Sequence, residues 1–448
     1  MLILSIPFLN SEFVREKSTD QKFTWKEYRL DYQQQLDAFP LDILDSGSIV
    51  TIRDIDEGGQ NKFSEDERLH FYRKVITEYN CLVDLELRYY KSDIINPNNL
   101  ILSYHDFSAQ IDFVKLEEII QKMNETESKF VKFAVNVNSY TELLKIQELI
   151  SKSNKPVIFT GMGKLGKISR LLYKHLGAAG TFIGLNENPT ATGQITENEV
   201  DLYGFHKISS RSRLGGIIGG KHIQHSLGIK FYNEYFHNHA LDAFYFPFII
   251  DDFSEFNNWF QSSGFKNKFY GFSITMPFKK SLTQKPSNLY LTQENLLLNT
   301  DAEAFRKSFE LLEIKLNNSI LVFGSGGSVE TALSFLKDHK NVIVCARNEK
   351  SGKNIEIEFL REFQNIKQIQ NAAIDLVINC TPIGMNGEDF IIETGIANFK
   401  KVIDLPYQTE NTMLIDFCMK NSIPFVDGKM FWQWQAETQL NKFLGKIK

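Results

Sequence analysis

Residues 130–137 read Phe-Val-Lys-Phe-Ala-Val-Asn-Val, an apolar run rich in β-branched and aromatic residues that predicts a buried strand. Lys132 interrupts this run. A buried ammonium group is costly unless it is paired or loses its proton. A neutral amine in a pocket is a nucleophile that can form a Schiff base with a ketone. A strand lysine more often extends its charged end to water, so the interpretation of Lys132 depends on the rest of the chain.

Length and composition exclude several classes of protein. The 448 residues are too many for one ordinary domain and predict two or three. The net charge of −5 argues against binding to nucleic acid or to a membrane surface. The apolar N-terminus is short and lacks a basic flank, so it predicts a first strand and not a signal peptide. The four cysteines are scattered, which predicts reduced thiols, no metal site and a cytoplasmic location.

Strand-like runs recur through the first half of the chain, and helical patterns lie between many of them. The predicted strands are 2–7, 23–30, 48–53, 81–87, 100–107, 130–137, 156–162 and 180–185. The clearest helical patterns are 64–79, 113–123, 140–151, 166–176 and 197–205. Eight strands alternating with helices within about 200 residues predict a compact (β/α)8 barrel.

Polar residues stand where several of these strands end, which is where barrel enzymes place their chemistry. Each of them alone also fits a salt-bridged or solvated residue at the rim. Together they supply a lysine nucleophile, a histidine that can move protons, a carboxylate to orient the histidine, and arginines to hold an anion. That set suits a ketone-bearing carboxylic acid. The residues are Glu27, Arg29, Arg53, Glu57, His105, Lys132 and Arg170.

At these positions the chain resembles the type I 3-dehydroquinate dehydratase family. The matching segments are 27–31, 51–59, 102–107, 131–134, 162–170 and 191–195. The resemblance implies that Lys132 forms a Schiff base, that His105 is the general base and acid, and that Glu57 orients His105. It also implies a set of substrate-binding residues, namely Glu27, Arg29, Arg53, Arg170, Thr190 and Gln194. Positive charge from Arg53 or Arg170 is expected to help keep Lys132 unprotonated. The chain departs from the family pattern at Thr192, where the family usually has proline.

The second half begins after a polar stretch at 206–215 that lacks apolar periodicity. We therefore predict a barrel domain at 1–207, a substrate-binding domain at 214–312 completed by 428–446, and a Rossmann domain at 313–427. The glycine-rich run 215–220 does not have the spacing of a phosphate-binding Walker motif.

An apolar strand at 320–323 runs into the glycine-rich turn 324–327 and then into a helix, as in a dinucleotide-binding βα unit. The next strand ends at Arg347, with Lys350 nearby, and not at the acidic residue that binds an unphosphorylated ribose. This favours NADP over NAD, although a solvated basic strand end remains an alternative. Lys279 ends another strand. Asp301 opens a helix, where an acid is most simply a cap, but with Lys279 it makes an acid–base pair.

These segments are similar to shikimate dehydrogenases, through 219–233, 273–279, 299–301, 324–327, 379–385, 404–407 and 428–435. The similarity implies that Lys279 and Asp301 are the catalytic pair. It implies that the substrate is bound by Ser226, Thr275, Asn288, Tyr407 and Gln435. It implies that the cofactor is bound by Gly324, Ser325, Gly326, Gly327, Arg347, Asn348, Lys350, Thr381 and Gly428. Gly228 and Tyr232 depart from the usual serine and histidine, although the Tyr232 hydroxyl is expected to be able to donate.

The resemblances together imply a bifunctional enzyme with two small-molecule substrates, 3-dehydroquinate and 3-dehydroshikimate. The first half would dehydrate 3-dehydroquinate to 3-dehydroshikimate, and the second half would reduce that ketone to shikimate with NADPH. The alternative is an NAD(P)-dependent quinate or shikimate dehydrogenase fused to a barrel that has lost its activity. We predict no nucleic-acid or membrane partner, and the oligomeric state is left open.

Overall fold

The computed structural model describes all residues except 93–94, 192, 281–285, 347–361, 365–368, 370–372, 408–409 and 448, and leaves out the side chains of 280, 362 and 363. The chain divides into two compact units. The first consists of Met1–Ile217 and Lys221–Phe269, and the second of Ile218–Gly220 and Tyr270–Lys448.

The first unit contains a ring of eight parallel strands. They are β1 (Leu2–Pro7), β2 (Trp25–Arg29), β3 (Ser48–Thr51), β4 (Leu82–Glu86), β5 (Leu100–Asp106), β6 (Phe130–Asn136), β7 (Val157–Met162) and β8 (Thr181–Gly184), with the short β9 (Ile195–Thr196) beside β8. Ile158 of β7 bridges in parallel to Gly180, immediately before β8, which closes the ring. The predicted (β/α)8 barrel is confirmed.

Helices follow most of the barrel strands, and local sequence starts several of them. They are α1 (Ser11–Ser18), α2 (Glu65–Tyr79), α3 (Phe113–Asn124), α4 (Tyr140–Lys152), α5 (Gly166–Leu171) and α6 (Glu197–Tyr203). Capping boxes begin α2, α4 and α6. Inside the ring, Ile3, Ile49, Leu82, Ile101, Ile158 and Phe182 form a buried apolar cluster. Most of them lie near strand starts, so polar side chains are left to the opposite, C-terminal end.

The rest of the first unit packs against the barrel. It contains most of β10 (Arg213–Gly219), α7 (Leu227–Asn238), β11 (Ala243–Ile249) and α8 (Phe253–Ser262), and β11 lies beside β10. The ring of Tyr140 on α4 is centred 5.1 Å from both Phe256 and Trp259 on α8. Its hydroxyl donates to the Ile249 carbonyl at 3.2 Å. An aromatic contact therefore joins the barrel to this segment.

The second unit contains a three-stranded antiparallel meander and a parallel sheet. The meander strands are β12 (Phe269–Ile274), β13 (Leu289–Leu291) and β14 (Leu296–Leu298). The sheet strands are β15 (Ile320–Phe323), β16 (Val342–Cys345), β17 (Glu362–Phe363), β18 (Ile374–Asn379), β19 (Phe399–Asp404) and β20 (Phe425–Val426), in the order β17-β16-β15-β18-β19-β20. The helices are α9 (Asp301–Leu311), α10 (Gly327–Phe335), α11 (Phe390–Thr394), α12 (Met413–Lys420) and α13 (Gly428–Ile447).

Two separate apolar clusters use alternate residues of the same sheet strands. Leu376 and Ile378 belong to one, and Val377 belongs to the other. Since alternate residues of a strand face opposite sides, both faces of this sheet are covered. This is the predicted Rossmann arrangement. None of the helices in the described ranges is both long enough and apolar enough to cross a membrane.

Candidate active sites

The C-terminal ends of the barrel strands open onto a cavity of about 460 Å³. Most of the substrate and catalytic residues predicted for the first half line it. They are Glu27, Arg29, Arg53, Glu57, His105, Lys132, Thr190 and Gln194. Phe107, Met162 and Phe182 add apolar surface to the wall. A polar set at the mouth of a largely apolar pocket is typical of a small-molecule site.

Lys132 is buried among carboxylates, with its side chain 6% exposed. Its Nζ lies 2.7 Å from Asp84 Oδ2, 3.7 Å from Glu27 Oε1 and 4.1 Å from the centre of the Phe182 ring. The sequence predicts a guanidinium group next to Lys132. In the structure the Asp84 carboxylate lies between Lys132 and Arg53 instead, because Arg53 Nη2 is 2.7 Å from the other Asp84 oxygen.

Asp84 is the centre of a buried charge network that the sequence analysis missed. Ser103 donates to Asp84 at 2.6 Å and accepts from Arg53 at 2.8 Å, and Arg53 also pairs with Glu86 at 2.9 Å. Burial would raise the pKa of Asp84, but Arg53 and Lys132 outweigh burial and hold that pKa well below its usual range. The sequence did carry a signal for this network, because polar residues alternate with other residues along β4 and β5. Alternate residues of a barrel strand face the inside of the barrel.

His105 and Glu57 form a second pair in the same cavity. Glu57 Oε2 lies 2.9 Å from His105 Nδ1 and accepts the His105 backbone N–H at 3.1 Å. Burial, followed by the positive charges of Arg53 and Lys132, holds the pKa of His105 well below its usual range. Burial raises the pKa of Glu57 to about 7, against the opposing charges of Arg53 and Arg88. A neutral His105 that donates from Nδ1 to Glu57 leaves Nε2 as a proton acceptor.

The remaining cavity residues are tied to one another. Glu27 accepts hydrogen bonds from Ser5 and, at 2.8 Å, from Thr51. Thr190 donates to Ser5 at 2.8 Å, and Gln194 donates to Thr190 at 3.0 Å, which connects the last loop of the barrel to Glu27. Ser5 and Thr51 were not predicted.

Two arginines that were predicted to bind the substrate already have partners within the protein. Arg29 already makes a two-pronged pair with Asp31, at 2.8 and 2.9 Å. Arg170 is fully buried and does not line the cavity; it donates to the carbonyls of Gly161 and Phe182 at 3.1 and 3.3 Å. Burial lowers the pKa of Arg170 to about 9. Thr192, the departure from the family pattern, lies outside the described residues.

In the second unit the structure brings Lys279 and Asp301 together. Lys279 lies in the short turn Phe278–Lys280, and its Nζ is 2.9 Å from Asp301 Oδ2. The other oxygen of Asp301 accepts from Asn288 Nδ2 at 2.8 Å. Burial, with a contribution from the Asp301 charge, raises the pKa of Tyr407. Two of the other predicted residues, Lys279 and Asn288, therefore contact the Asp301 carboxylate.

A network of neutral side chains supports this pair. Asn288 Oδ1 accepts from the Thr300 backbone at 2.7 Å, and Asn288 Nδ2 donates to Gln435 at 3.4 Å. Gln439, one turn further along α13, donates to Gln435 at 2.9 Å and to the Asn288 carbonyl at 3.1 Å. Gln439 was not predicted; the signal was its position one helical turn after Gln435.

The remaining predicted substrate residues are backbone anchors or caps in the described structure. Ser226 caps α7 and accepts from the Gly228 N–H at 3.3 Å. The Thr275 N–H donates to the Ile218 carbonyl at 3.0 Å. Tyr232 is 2% exposed and packs 4.4 Å from the Tyr245 ring, so its place in the aromatic core argues against the expected substrate contact.

The glycine-rich turn fits a dinucleotide pyrophosphate. Gly324 has φ +134°, and a Cβ there would lie 3.3 Å from both the Cys380 carbonyl and the Thr381 methyl group. A Cβ on Gly326 would meet none of the described residues within 4 Å, so among these residues open space lies beside the start of α10 at Gly327. The first N–H groups of a helix have no partner within the helix and can bind phosphate.

Other predicted cofactor residues have mixed outcomes. Thr381 donates to Asn379 at 2.7 Å at the end of β18. Gly428 is a point of close backbone approach, because a Cβ there would lie 2.3 Å from the Pro406 carbonyl. Arg347, Asn348 and Lys350 lie outside the described residues. The side chains predicted to choose NADP over NAD are therefore not described.

Comparisons with known proteins agree with both halves. The family Type I 3-dehydroquinase matches residues 26–206, and the Shikimate dehydrogenase substrate binding domain matches residues 218–289. The 3-dehydroquinate dehydratase of Methanococcus vannielii is 32% identical over 178 residues, which are 38% of this chain and 81% of that protein.

A bifunctional relative spans both halves, and one solved structure is also similar to part of the chain. The chloroplastic bifunctional 3-dehydroquinate dehydratase/shikimate dehydrogenase of Arabidopsis thaliana is 25% identical and spans 89% of this chain and 73% of its own length. The crystal structure of shikimate dehydrogenase from Aquifex aeolicus is 25% identical, covers 53% of this chain and 94% of its own, and has a TM-score of 0.46. The chain thus belongs to the type I 3-dehydroquinase family and is a bifunctional fusion of that enzyme with a shikimate dehydrogenase.

Proposed function

We propose that the barrel dehydrates 3-dehydroquinate through a Schiff base on Lys132, and that the second unit reduces the product to shikimate with NADPH. The observation that supports this most strongly is the joint presence of Lys132 and the His105–Glu57 pair in one cavity. The cytoplasmic location stays a prediction.

In the dehydration, the Lys132 amine attacks the ketone carbon, and loss of water gives an iminium that serves as an electron sink. Asp84 accepts a hydrogen bond from Nζ, and the Glu27 carboxylate lies 3.7 Å from it, so both negative charges stabilise the iminium. His105 removes the proton next to the iminium carbon and then gives a proton to the departing hydroxyl, which leaves as water. Hydrolysis of the conjugated iminium frees 3-dehydroshikimate and restores Lys132. Proton transfer by a placed histidine contributes roughly 10²–10⁴-fold.

In the reduction, Lys279 and Asp301 act on the ketone oxygen. When bound, NADPH supplies the hydride. Lys279 is held by Asp301, and it stabilises and protonates the oxygen that gains negative charge. Asn288 keeps Asp301 oriented by occupying its second oxygen. The open space at Gly326 and the start of α10 would hold the pyrophosphate.

Borohydride trapping tests the first half. Borohydride reduces an iminium to a stable amine, so incubation with 3-dehydroquinate should leave a covalent adduct on Lys132 that mass spectrometry locates. The Lys164→Ala variant is the control, because Lys164 lies on a nearby loop and pairs with Asp251. No adduct, or an adduct on another lysine, would contradict the proposal.

A coupled assay tests both halves together. With 3-dehydroquinate and NADPH supplied, shikimate should appear, and NADH should support the second step less well. A clear preference for NADH would refute the cofactor assignment while leaving the dehydratase intact.

A further inference from the structure

Arg88 lies behind Glu57, on the side away from His105. It is in the turn Leu87–Tyr89 that follows β4, and its side chain is 35% exposed. Its Nε lies 3.9 Å from Glu57 Oε1, whereas the oxygen that faces His105 is Oε2. The Glu57 carboxylate therefore lies between His105 and a guanidinium group.

Arg88 also holds the turn that carries Glu57. This turn runs over Ile55–Glu57 and is capped by Asp54, which accepts from the Asp56 N–H at 2.9 Å. Arg88 Nη2 pairs with Asp54, and Nη1 lies 3.0 Å from Asp56. A planar guanidinium that contacts two carboxylates of one turn restricts its geometry.

Asp54, one of the two carboxylates that Arg88 contacts, is also held by other residues. Asp54 also accepts from Arg68 at 2.7 Å and from the Tyr89 hydroxyl at 2.6 Å. The Tyr89 ring lies 4.2 Å from the Arg68 guanidinium and 5.0 Å from that of Arg88. Arg88 is thus both stacked on an aromatic ring and paired with carboxylates.

We propose that Arg88 is a positioning residue for the dehydratase reaction, holding the Glu57 turn so that the carboxylate stays aligned on His105 and supplying positive charge from the opposite side. This inference rests on the dehydratase function proposed above.

The charges that face Glu57 come from several elements. Arg53 follows β3, Glu86 ends β4, Arg88 follows β4 and His105 is on β5. Burial raises the pKa of Glu57, Arg53 and Arg88 oppose this rise, and Glu86 adds to it. Arg53 is committed to Asp84 and Glu86. Loss of the Arg88 charge should therefore leave more Glu57 protonated near neutral pH, and a protonated Glu57 no longer accepts the hydrogen bond from His105 Nδ1 as a carboxylate.

Two variants separate the charge of Arg88 from its clamp. The dehydratase kcat and KM are measured from about pH 5.5 to about pH 9. For Arg88→Gln we expect the acidic limb of the kcat profile to move to higher pH by about 0.5 pH unit or more. At neutral pH, kcat should fall by about 3- to 10-fold. KM should stay within about twofold of the wild-type value. Arg88→Lys keeps the charge but cannot hold both acids, so kcat should fall while the limb stays at its wild-type position.

The controls keep the outcomes distinct. Arg15→Gln, which breaks an exposed pair with Asp42, should retain the wild-type profile, and the thermal melting of each variant reports whether it is folded. The inference would be overturned if the acidic limb of kcat did not move in Arg88→Gln. It would also be overturned if Arg88→Lys kept the wild-type kcat. The Arg88→Lys result decides the question if Arg88→Gln fails to fold. Absence of dehydratase activity in the wild type would instead refute the proposed function.

Discussion

The two candidate catalytic lysines lie in contrasting surroundings. Lys132 is 6% exposed and contacts two carboxylates, one of which it shares with the buried Arg53. Lys279 is 20% exposed and pairs with Asp301, whose other oxygen accepts from the amide of Asn288. The first site is a network of buried charges, and the second, in the part of the chain that the structure describes, is one ion pair supported by neutral groups.

This difference matters for stability as well as chemistry. Removal of one member of a buried charge network leaves another charge unpaired at low dielectric, which typically costs about 3–5 kcal/mol. Amides that lose a partner leave a smaller desolvation penalty, about 1–3 kcal/mol. In the barrel, the groups that arrange the nucleophile therefore also stabilise the fold. In the second unit, catalysis can be altered with less damage to folding.

The largest expected effect separates the two lysines by activity. Lys132→Ala removes the proposed nucleophile and should lower the dehydratase kcat by roughly 10⁴-fold or more. Lys279→Ala removes the proposed proton donor and should lower the dehydrogenase kcat by roughly 10²–10⁴-fold. Each variant should leave the other reaction unchanged when the two are assayed separately. If either substitution impaired both reactions equally, the two sites would not be independent.

The two carboxylates that hold these lysines should differ in how much each stabilises the folded protein. Asp84→Asn neutralises the centre of the buried network and should destabilise the protein by about 3 kcal/mol or more. Asp301→Asn, at an 11% exposed side chain with one cationic partner among the described residues, should cost about 1 kcal/mol. Calorimetric melting of both variants beside the wild type measures the difference. Equal shifts in melting temperature would contradict the contrast between the sites.

Much of the fold could be predicted because the signals are local. The predicted barrel strands overlap all eight observed strands, since strand periodicity and turn residues are read from neighbouring positions. One helix was predicted too long, over 166–176, whereas α5 ends at Leu171. The residues that follow turn towards Gly177, which has φ +87°, and this left-handed turn is not visible in apolar periodicity.

The sites were predicted less completely, because their supports depend on register between distant strands. Lys132, His105 and Glu57 were singled out from an apolar run and from polar strand ends, and the family resemblance gave each its expected role. Asp84 becomes interpretable only once Arg53 and Lys132 are placed beside it from other strands. The surroundings of Tyr232 were not predictable for the same kind of reason, because the packing of α7 against β11 determines where its ring lies.

A pH-dependent stability measurement sharpens the comparison further. Burial gives Glu57 a pKa of about 7 in the folded protein, above its unfolded value of 4.5. Between these values the unfolded state loses its proton first, so wild-type stability should fall as pH rises, by about 3 kcal/mol in total from this group. Glu57→Gln cannot titrate and should gain that amount relative to wild type between about pH 4 and about pH 8.

Denaturation at both pH values tests this expectation. Glu117→Gln, which removes an exposed carboxylate paired with Lys152, is the control and should follow the wild-type pH dependence. Parallel curves for wild type and Glu57→Gln would mean that Glu57 is not buried as described.

The smallest effect concerns a glycine in each site. In the barrel, a Cβ on Gly58 would lie 2.8 Å from the Phe107 ring, at φ +90°, whereas a Cβ on Gly326 would project into open space. Gly326→Ala should therefore leave the melting temperature unchanged and raise KM for NADPH by about 10-fold, by filling the space proposed for the pyrophosphate. Gly445→Ala, also without neighbours, should change neither quantity. An unchanged KM in Gly326→Ala would place the pyrophosphate elsewhere. A lower melting temperature in Gly326→Ala would show that this glycine is also needed for packing, as Gly58 is in the barrel.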